Sequence, residues 1–342
     1  MHDRKAQGGE WATISVQVVS PQMRCSRALA VMAFIEPRPE MVAVTHGILE
    51  GMTIEECRRF YAEEIHFAAN ISSQALIEAF ARVPRERFLG PGPWELGSPD
   101  VRAMASCGWA KMSYTPVDDP RHVYHNVVVA LDKENDINNG QPSALACWIN
   151  ALDIKPGAHV YHLGCGAGYY TAIIAEVVGA QGRVVASELN PQLADRAKNN
   201  LSAYLNVTVH AGDGAAFDPG VCNGIFVNAG VTHPLPLWLD RLQEGGRLVL
   251  PLTTAVASGR AGVGVMVQSI RERGRFSAQI VTSVAIYSCT GARDPQREPQ
   301  LKASMTNGAL LKMKSFRRDA HEQADTCLVH GPEVCLSKAE IA

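Results

Sequence analysis

The stretch Val160-Tyr161-His162-Leu163-Gly164-Cys165-Gly166-Ala167-Gly168-Tyr169-Tyr170 constrains this chain more than any other. An apolar run leads into three glycines at alternating positions, and a helix-like segment follows. A strand that ends in such a turn lets a ligand approach the backbone, because side chains at the glycine positions would collide with it. Arg183-Val184-Val185-Ala186-Ser187-Glu188 reads as a second strand that ends in a carboxylate. That acid lies about 20 residues past the last glycine, where a ribose diol would sit. Gly212-Asp213-Gly214 follows a third strand.

The periodic core begins at Ser143. Residues 144–152 read as a helix, and Lys155-Pro156-Gly157 turns into a strand at 158–163. The pattern then alternates: helix 169–178, strand 183–187, helix 191–204, strand 206–210, strand 223–228, helix 234–242 and strand 247–251. Strands alternating with helices of this length imply βαβ units, hence an α/β fold with a doubly wound, mostly parallel sheet covered on both faces. Gly259 to Gly264 reads as a flexible connection, and strands at 265–270 and 279–287 are expected at an antiparallel edge.

Before the core, Thr53-Ile54-Glu55-Glu56 is a capping box that opens a helix through about Ala69. A second helix follows Ser73 and stops at Pro84. Residues 89–120 are rich in Gly, Pro and Ser and read as irregular wrapping; 125–131 is a short strand, and 132–142 a polar loop. The expected division is a poorly ordered leader (1–50), an N-terminal helical and wrapping segment (51–142), a cofactor-binding core (143–293) and a small C-terminal appendage of helix and hairpin (294–342).

Composition excludes several classes of function. The 342 residues carry a net charge of −2, so no global basic field would attract nucleic acid. Nine cysteines are scattered without a CxxC pair, which suits a reducing cytoplasm. No apolar run approaches the roughly 18 residues of a membrane span. Ala28 to Ile35 is too short, and runs into Glu36 without a small-residue cleavage site, so 1–40 reads as a loose leader or an over-long start, with Met41 an alternative initiator.

Two details bear on the cofactor. An acid after the third strand can accept a hydrogen bond from an adenine amino group, which a pyrophosphate site does not require. The turn also lacks the spacing of GxGxxG, because Tyr169 takes the next place. Together they favour S-adenosyl-L-methionine over NAD. The cofactor-binding set is Gly164, Cys165, Gly166, Ala167, Gly168, Glu188, Asp213 and Gly214. Such sites commonly carry an acid two residues before the first glycine; here His162 stands there, and reads as a satisfied histidine at a strand end.

From about Ile65 to Gly291 the chain resembles the protein-L-isoaspartate O-methyltransferase family, as a divergent branch. Val83-Pro84-Arg85-Glu86-Arg87-Phe88 is similar to that family's VPRERF signature. Gly140-Gln141-Pro142, Lys155-Pro156-Gly157 and Leu242 to Pro251 (LQEGGRLVLP) resemble its other motifs. The resemblance implies a Rossmann-like, class I methyltransferase fold and transfer of a methyl group to the α-carboxyl of an isoaspartyl residue in a damaged protein. A peptide or protein substrate follows. The family's TISQP-type motif supplies a hydroxyl beside the transferred methyl. This chain reads Asn138-Asn139-Gly140-Gln141-Pro142, so both hydroxyls are gone.

A carboxylate acceptor is already ionised at neutral pH and needs no strong general base. Amides can hold it, so Asn138, Asn139 and Gln141 are candidate replacements for the hydroxyls, and Gly140→Ser is expected to raise activity if the acceptor is unchanged. Asn228, Thr232 and His233 follow the fourth main strand, at the edge where such sheets present ligands. Two other readings stay open: a methyltransferase of the same fold acting on a small molecule or biosynthetic peptide, and a catalytically silent cofactor-binding protein. No metal is expected. His122 and His125 form HxxH without further ligands, and Cys327 and Cys335 read as buried tail residues. Lys312 to Arg318 reads as a solvated charged face.

Overall fold

Thr53 opens the first helix of the computed structural model, α1 (Ile54–Ala69). Its hydroxyl accepts from the Glu56 N–H at 3.2 Å, and the Glu56 carboxylate accepts from the Thr53 N–H at 2.7 Å. This is the reciprocal box read from sequence. The structure describes residues 49–97, 114–256 and 260–340. The leader reading, with Ala28–Ile35 and Met41, therefore lies outside the described residues, as do 98–113 of the wrapping segment. Ser73 caps α2 (Gln74–Arg82), its side chain accepting from the Leu76 N–H at 3.3 Å.

The expected wrapping and polar loop hold more order than their composition suggests. β1 (Trp94–Gly97), β2 (Tyr114–Val117), β3 (Val128–Asp132) and β4 (Ile137–Asn138) form a small antiparallel sheet in the order β2-β1-β3-β4. β3 is the strand expected at 125–131; the other three, of two to four residues, are too short to display a period.

From α3 (Pro142–Ala151) the chain alternates as the pattern implies. β5 (His159–Leu163), α4 (Tyr169–Val178), β6 (Arg183–Glu188), α5 (Pro191–Asn200), β7 (Val207–Ala211), β8 (Cys222–Val227), α6 (Pro236–Arg241) and β9 (Leu242–Ala255) follow in turn. The parallel strands lie in the order β7-β6-β5-β8-β9. The chain winds outward from β5 through β6 to β7, then crosses to β8 on the other side. The carboxyl end of β5 is thus the switch point, where open α/β sheets bind ligands.

β10 (Ala261–Glu272) runs antiparallel to β9, and β11 (Arg275–Ser277) and β12 (Gln279–Tyr287) share its other edge. The flexible connection expected up to Gly264 is instead strand from Ala261 onward. A Cβ at Gly262 would stand 2.6 Å from Thr253 Oγ1, and one at Gly264 would run into the Leu252 carbonyl oxygen. These glycines permit close strand approach rather than motion.

The tail contributes α7 (Glu298–Thr306), β13 (Ser315–Arg317), β14 (Cys327–Val329) and β15 (Cys335–Ser337). β13 pairs with β11, β15 with β13 and β14 with β15, so the tail extends the main sheet. Along the run Lys312–Arg318, Lys312, Lys314 and Arg318 are exposed, as a solvated charged face requires, while Met313, Ser315 and Phe316 between them are buried.

Period-2 alternation divides the core. Val160, Val184, Ala186 and Val249 face α1 to α4, while Tyr161, Leu163, Val185, Leu248 and Leu250 face α6 and the tail. Helix α4 is buried nearly all round, because it lies between the sheet and the N-terminal helices.

Candidate active site

The turn after β5 takes left-handed backbone at Gly164 (φ +77°) and Gly166 (φ +57°), conformations that strain any residue with a Cβ. A Cβ at Gly164 would also press on the Asn228 carbonyl oxygen at 3.1 Å, whereas Gly166 faces open space. Gly168 has a different task. A Cβ there would meet Leu201 Cδ1 at 2.8 Å, so this glycine lets α4 start against the end of α5, and it does not line the cleft.

Glu188 closes β6 beside this turn. Its Oε2 accepts from the Gly166 N–H at 2.8 Å and its Oε1 from the Asn190 N–H at 2.9 Å. Each carboxylate oxygen keeps a further lone-pair direction for a diol. The Asn228 amide donates to the Gly164 carbonyl at 3.1 Å and so ties β8 to the turn. The buried Tyr161 hydroxyl lies 2.8 Å from Ser187 Oγ and donates to the Gly214 carbonyl, also at 2.8 Å. A Cβ at Gly214 would run into Ser187 Oγ, so this glycine is needed for the third strand end to approach the other two.

Asp213 accepts from the Ala215 N–H at 2.9 Å, and its other oxygen faces Gly291, where a Cβ would collide with it. The wall it faces runs from Ser283 to Thr290, the end of β12 and the residues after it. Sequence reasoning named none of that wall, nor Leu189 and Asn190.

These walls enclose a cleft of about 880 Å³, within the usual size of a small-molecule site. Gly164, Cys165, Gly166, Ala167, Glu188, Asp213 and Gly214 line it together with Asn138, Asn139, Gln141 and Asn228. The structure thus brings most of the expected cofactor set and four of the six substrate-edge candidates to one cavity. Among the described residues, no His, Lys or Arg lines it. The Cys289 thiol is pushed up to about 11 by burial and by nearby Asp213, and burial likewise raises Cys165. Neither thiol is a nucleophile at neutral pH.

Thr232 and His233 are the exceptions. Both are buried away from the cleft, and the threonine Oγ1 lies 2.9 Å from His233 Nδ1. Thr232 Oγ1 also accepts from the Asp294 N–H at 3.0 Å, so the pair fastens the loop after β8 to the segment leading into the tail. Burial and then Arg297 push the imidazole down to about 4. The substrate edge expected at these two residues is an internal staple.

The rim at 138–141 is built around a backbone reversal. Asn138 Oδ1 accepts from the Gly140 N–H at 2.9 Å, and its amide donates to the Tyr287 hydroxyl at 3.3 Å. Asn139 Oδ1 accepts from the Val129 N–H at 2.8 Å, while its Nδ2 is buried without a hydrogen-bond partner. Gln141 stands at the N-cap of α3, makes no capping bond and lines the cleft. Gly140 is left-handed (φ +77°), and a Cβ there would stand 2.9 Å from Leu145 Cδ2. A serine there would be strained by the left-handed backbone and would require Leu145 to shift, which weighs against a gain in activity from Gly140→Ser.

His162 lies beneath the turn, fully buried, with Nδ1 2.9 Å from Thr171 Oγ1 and its ring stacked on Phe226 at 5.0 Å. Burial pushes its pKa down to about 3, so it is neutral. Only one nitrogen is satisfied; Nε2 has no partner. Period-2 alternation aims residue 162 at α4, among Val160 and Phe226. An unpaired acid would be costly there.

The VPRERF-like segment also has a physical task. Arg85 is fully buried and donates to the carbonyls of His125 at 2.9 Å and Val127 at 2.7 Å. It sets the path of the chain entering β3, and through Val129 the position of Asn139.

The family model for protein-L-isoaspartate(D-aspartate) O-methyltransferase matches residues 100–287. Protein-L-isoaspartate O-methyltransferase 1 of Archaeoglobus fulgidus is 32% identical over 206 residues, covering 59% of this chain and 82% of that protein. The Aeropyrum pernix enzyme of the same name is 30% identical over 213 residues, covering 61% and 71%. Among solved structures, a protein-L-isoaspartate O-methyltransferase aligns with TM-score 0.54 at 22% identity, over 77% of this chain and 72% of that one. A Plasmodium falciparum structure described as a protein of this kind in complex with S-adenosyl-L-homocysteine aligns with TM-score 0.51 at 16% identity, over 68% and 98%. These structural likenesses bear on the fold. By the family match, the chain belongs to the protein-L-isoaspartate(D-aspartate) O-methyltransferase family.

Proposed function

We propose that this chain transfers a methyl group from S-adenosyl-L-methionine to the free carboxylate of an isoaspartyl residue in a peptide or damaged protein. The cavity fits that cofactor in its donor set. Gly166 faces open space beside a carboxylate with spare acceptor directions, and Asp213 lies at the next strand end. Glu188 would hold the ribose diol, Asp213 the adenine amino group, and the turn at 164–167 the chain of the amino acid. Bound there, the cofactor supplies an electrophilic methyl on a sulfonium.

One observation carries the choice of acceptor: among the described residues the cleft is lined by amide side chains and by no histidine, lysine or arginine. An alcohol or amine acceptor would need a base to take its proton. A carboxylate needs none. The chain's residues then have two tasks, holding the acceptor oxygen in line with the methyl and keeping water out. Asn139, whose Nδ2 has no partner, and Gln141, which also lines the cleft, would supply amide donors for the first task. Tyr169, Tyr170, Leu145 and Trp148 give the same cavity apolar walls for the second.

Gly140 supports a second reading, in which the same fold methylates a carboxylate on a small molecule or biosynthetic peptide. Its left-handed backbone strains a serine there, and Leu145 would have to shift to admit the family's hydroxyl. Labelled S-adenosyl-L-methionine, offered with isoaspartyl peptides, ordinary peptides and cell extract, separates the readings. Label on isoaspartyl peptides supports the first, and label confined to the extract's small molecules supports the second. The setting we infer is cytoplasmic, supported by the free state of the seven described cysteines. Among the described residues no helix is long and apolar enough to cross a membrane.

A further inference from the structure

The tail's strands are three residues each, too short to hold together on backbone pairing alone. Four side chains meet where they join. Cys327 opens β14, His330 follows it, Cys335 opens β15, and His321 lies in the loop that leaves β13. The spacing is H-x5-C-x2-H-x4-C, and one ligand atom from each residue lies within 4.8 Å of those from the others. Zinc bonds of about 2.0–2.3 Å in a tetrahedron set ligand atoms about 3.3–3.8 Å apart. The Cys327 Sγ to His321 Nε2 distance is already 3.5 Å.

We propose that His321, Cys327, His330 and Cys335 form a structural zinc site that fastens the C-terminal strands to one another. The surrounding bonds are those a zinc centre uses. His321 Nδ1 lies 2.8 Å from the Asp319 carbonyl oxygen, which fixes the ring with Nε2 turned to the cysteine. The Ala324 N–H donates to Cys327 Sγ at 3.4 Å, a bond that favours thiolate. His330 Nδ1 is buried with no hydrogen-bond partner. Both cysteines are free, so no disulfide does this work. Two soft thiolates and two imidazoles, with no carboxylate, select zinc over calcium or magnesium. All four residues lie beyond the matched family segment, and far from the cleft in sequence.

The consequence reaches inward. The His330 N–H donates to Gln300 Oε1 at 2.8 Å, and Arg297 donates to the Val334 carbonyl at 3.1 Å while pairing with Asp294 at 3.0 Å. A fixed tail therefore steadies the segment after β12 that reaches the cleft at Thr290.

The test is metal analysis of the full-length protein, purified with reductant and dialysed. The expected result is about one zinc per chain. Cobalt offered to stripped protein should give the intense ligand-field and thiolate charge-transfer bands of a tetrahedral dithiolate site. Cys327→Ser and His330→Ala should each lose the metal. Should those variants fail to fold, the cobalt spectrum of the unaltered chain decides. A reduced protein that takes up no stoichiometric zinc and gives an octahedral cobalt spectrum, or one isolated with a Cys327–Cys335 disulfide that stays metal-free after reduction, would overturn the assignment.

Discussion

The Gly166 N–H donates to Glu188 Oε2 at 2.8 Å, so the carboxylate that ends β6 is built into the turn that ends β5. One side chain thereby fixes the cradle and presents a charged acceptor to what lies in it. Glu188→Ala should weaken S-adenosyl-L-methionine binding by roughly 10- to 100-fold, the loss of a charged hydrogen-bond partner of about 1.5–3 kcal/mol. Calorimetry is the check. Unchanged affinity would mean that the carboxylate holds the turn alone.

Asn139 separates alignment from binding. Asn139→Asp keeps an oxygen for the Val129 N–H but replaces the unpartnered donor with a negative charge facing an anionic acceptor. Turnover should fall by about 10-fold or more, with cofactor affinity of the folded protein close to the parent. Equal losses in turnover and cofactor affinity would place the amide at the cofactor instead.

Gly140→Ser tests whether the rim can take the hydroxyl of the family's motif. A left-handed serine beside Leu145 should cost about 1–3 kcal/mol of stability and bring no gain in rate. Denaturant melts with parallel rate measurements decide. A faster enzyme of undiminished stability would show that the rim relaxes to accept the hydroxyl.

Burial of neutral histidines sets an acid limit on stability. His162 is pushed down to about 3 and His233 to about 4, from an ordinary 6.5. The unfolded chain binds a proton at each near 6.5 and the folded chain does not. Their contribution is therefore complete above that pH and declines as pH falls toward 4, by up to about 1.4 kcal/mol per unit for each. His162→Phe, which retains an aromatic against Phe226, should flatten the fall in melting temperature between neutral pH and pH 4. A fall as steep as the parent's would show that His162 is charged in the fold.

The parallel core was legible because each element exceeds one period of its own pattern: α4 and β12 fall at the expected residues, and β5, β6 and β8 within one or two. Glu188 and Asp213 were legible as candidates because strand ends at a switch point are where such sheets present acids to a ligand. What escaped depends on contacts far apart in sequence. Gly262 and Gly264 read as flexible because Thr253 and Leu252, across the strand pair, are invisible in one dimension. Thr232 and His233 follow β8 as substrate residues would, but Asp294 turns them inward. The cysteines and histidines of the tail carry no CxxC spacing. Only the pairing of β13, β14 and β15 assembles them.

The central claim is methyl transfer to an isoaspartyl carboxylate, and paired peptides test it most directly. Two peptides of one sequence, differing only in isoaspartyl or ordinary aspartyl linkage, are each incubated with the enzyme and labelled S-adenosyl-L-methionine. The account predicts label on the isoaspartyl peptide alone, released as methanol on mild alkali because the product is an ester. Equal labelling of both peptides, base-stable label, or no label on either while another acceptor is methylated would contradict it.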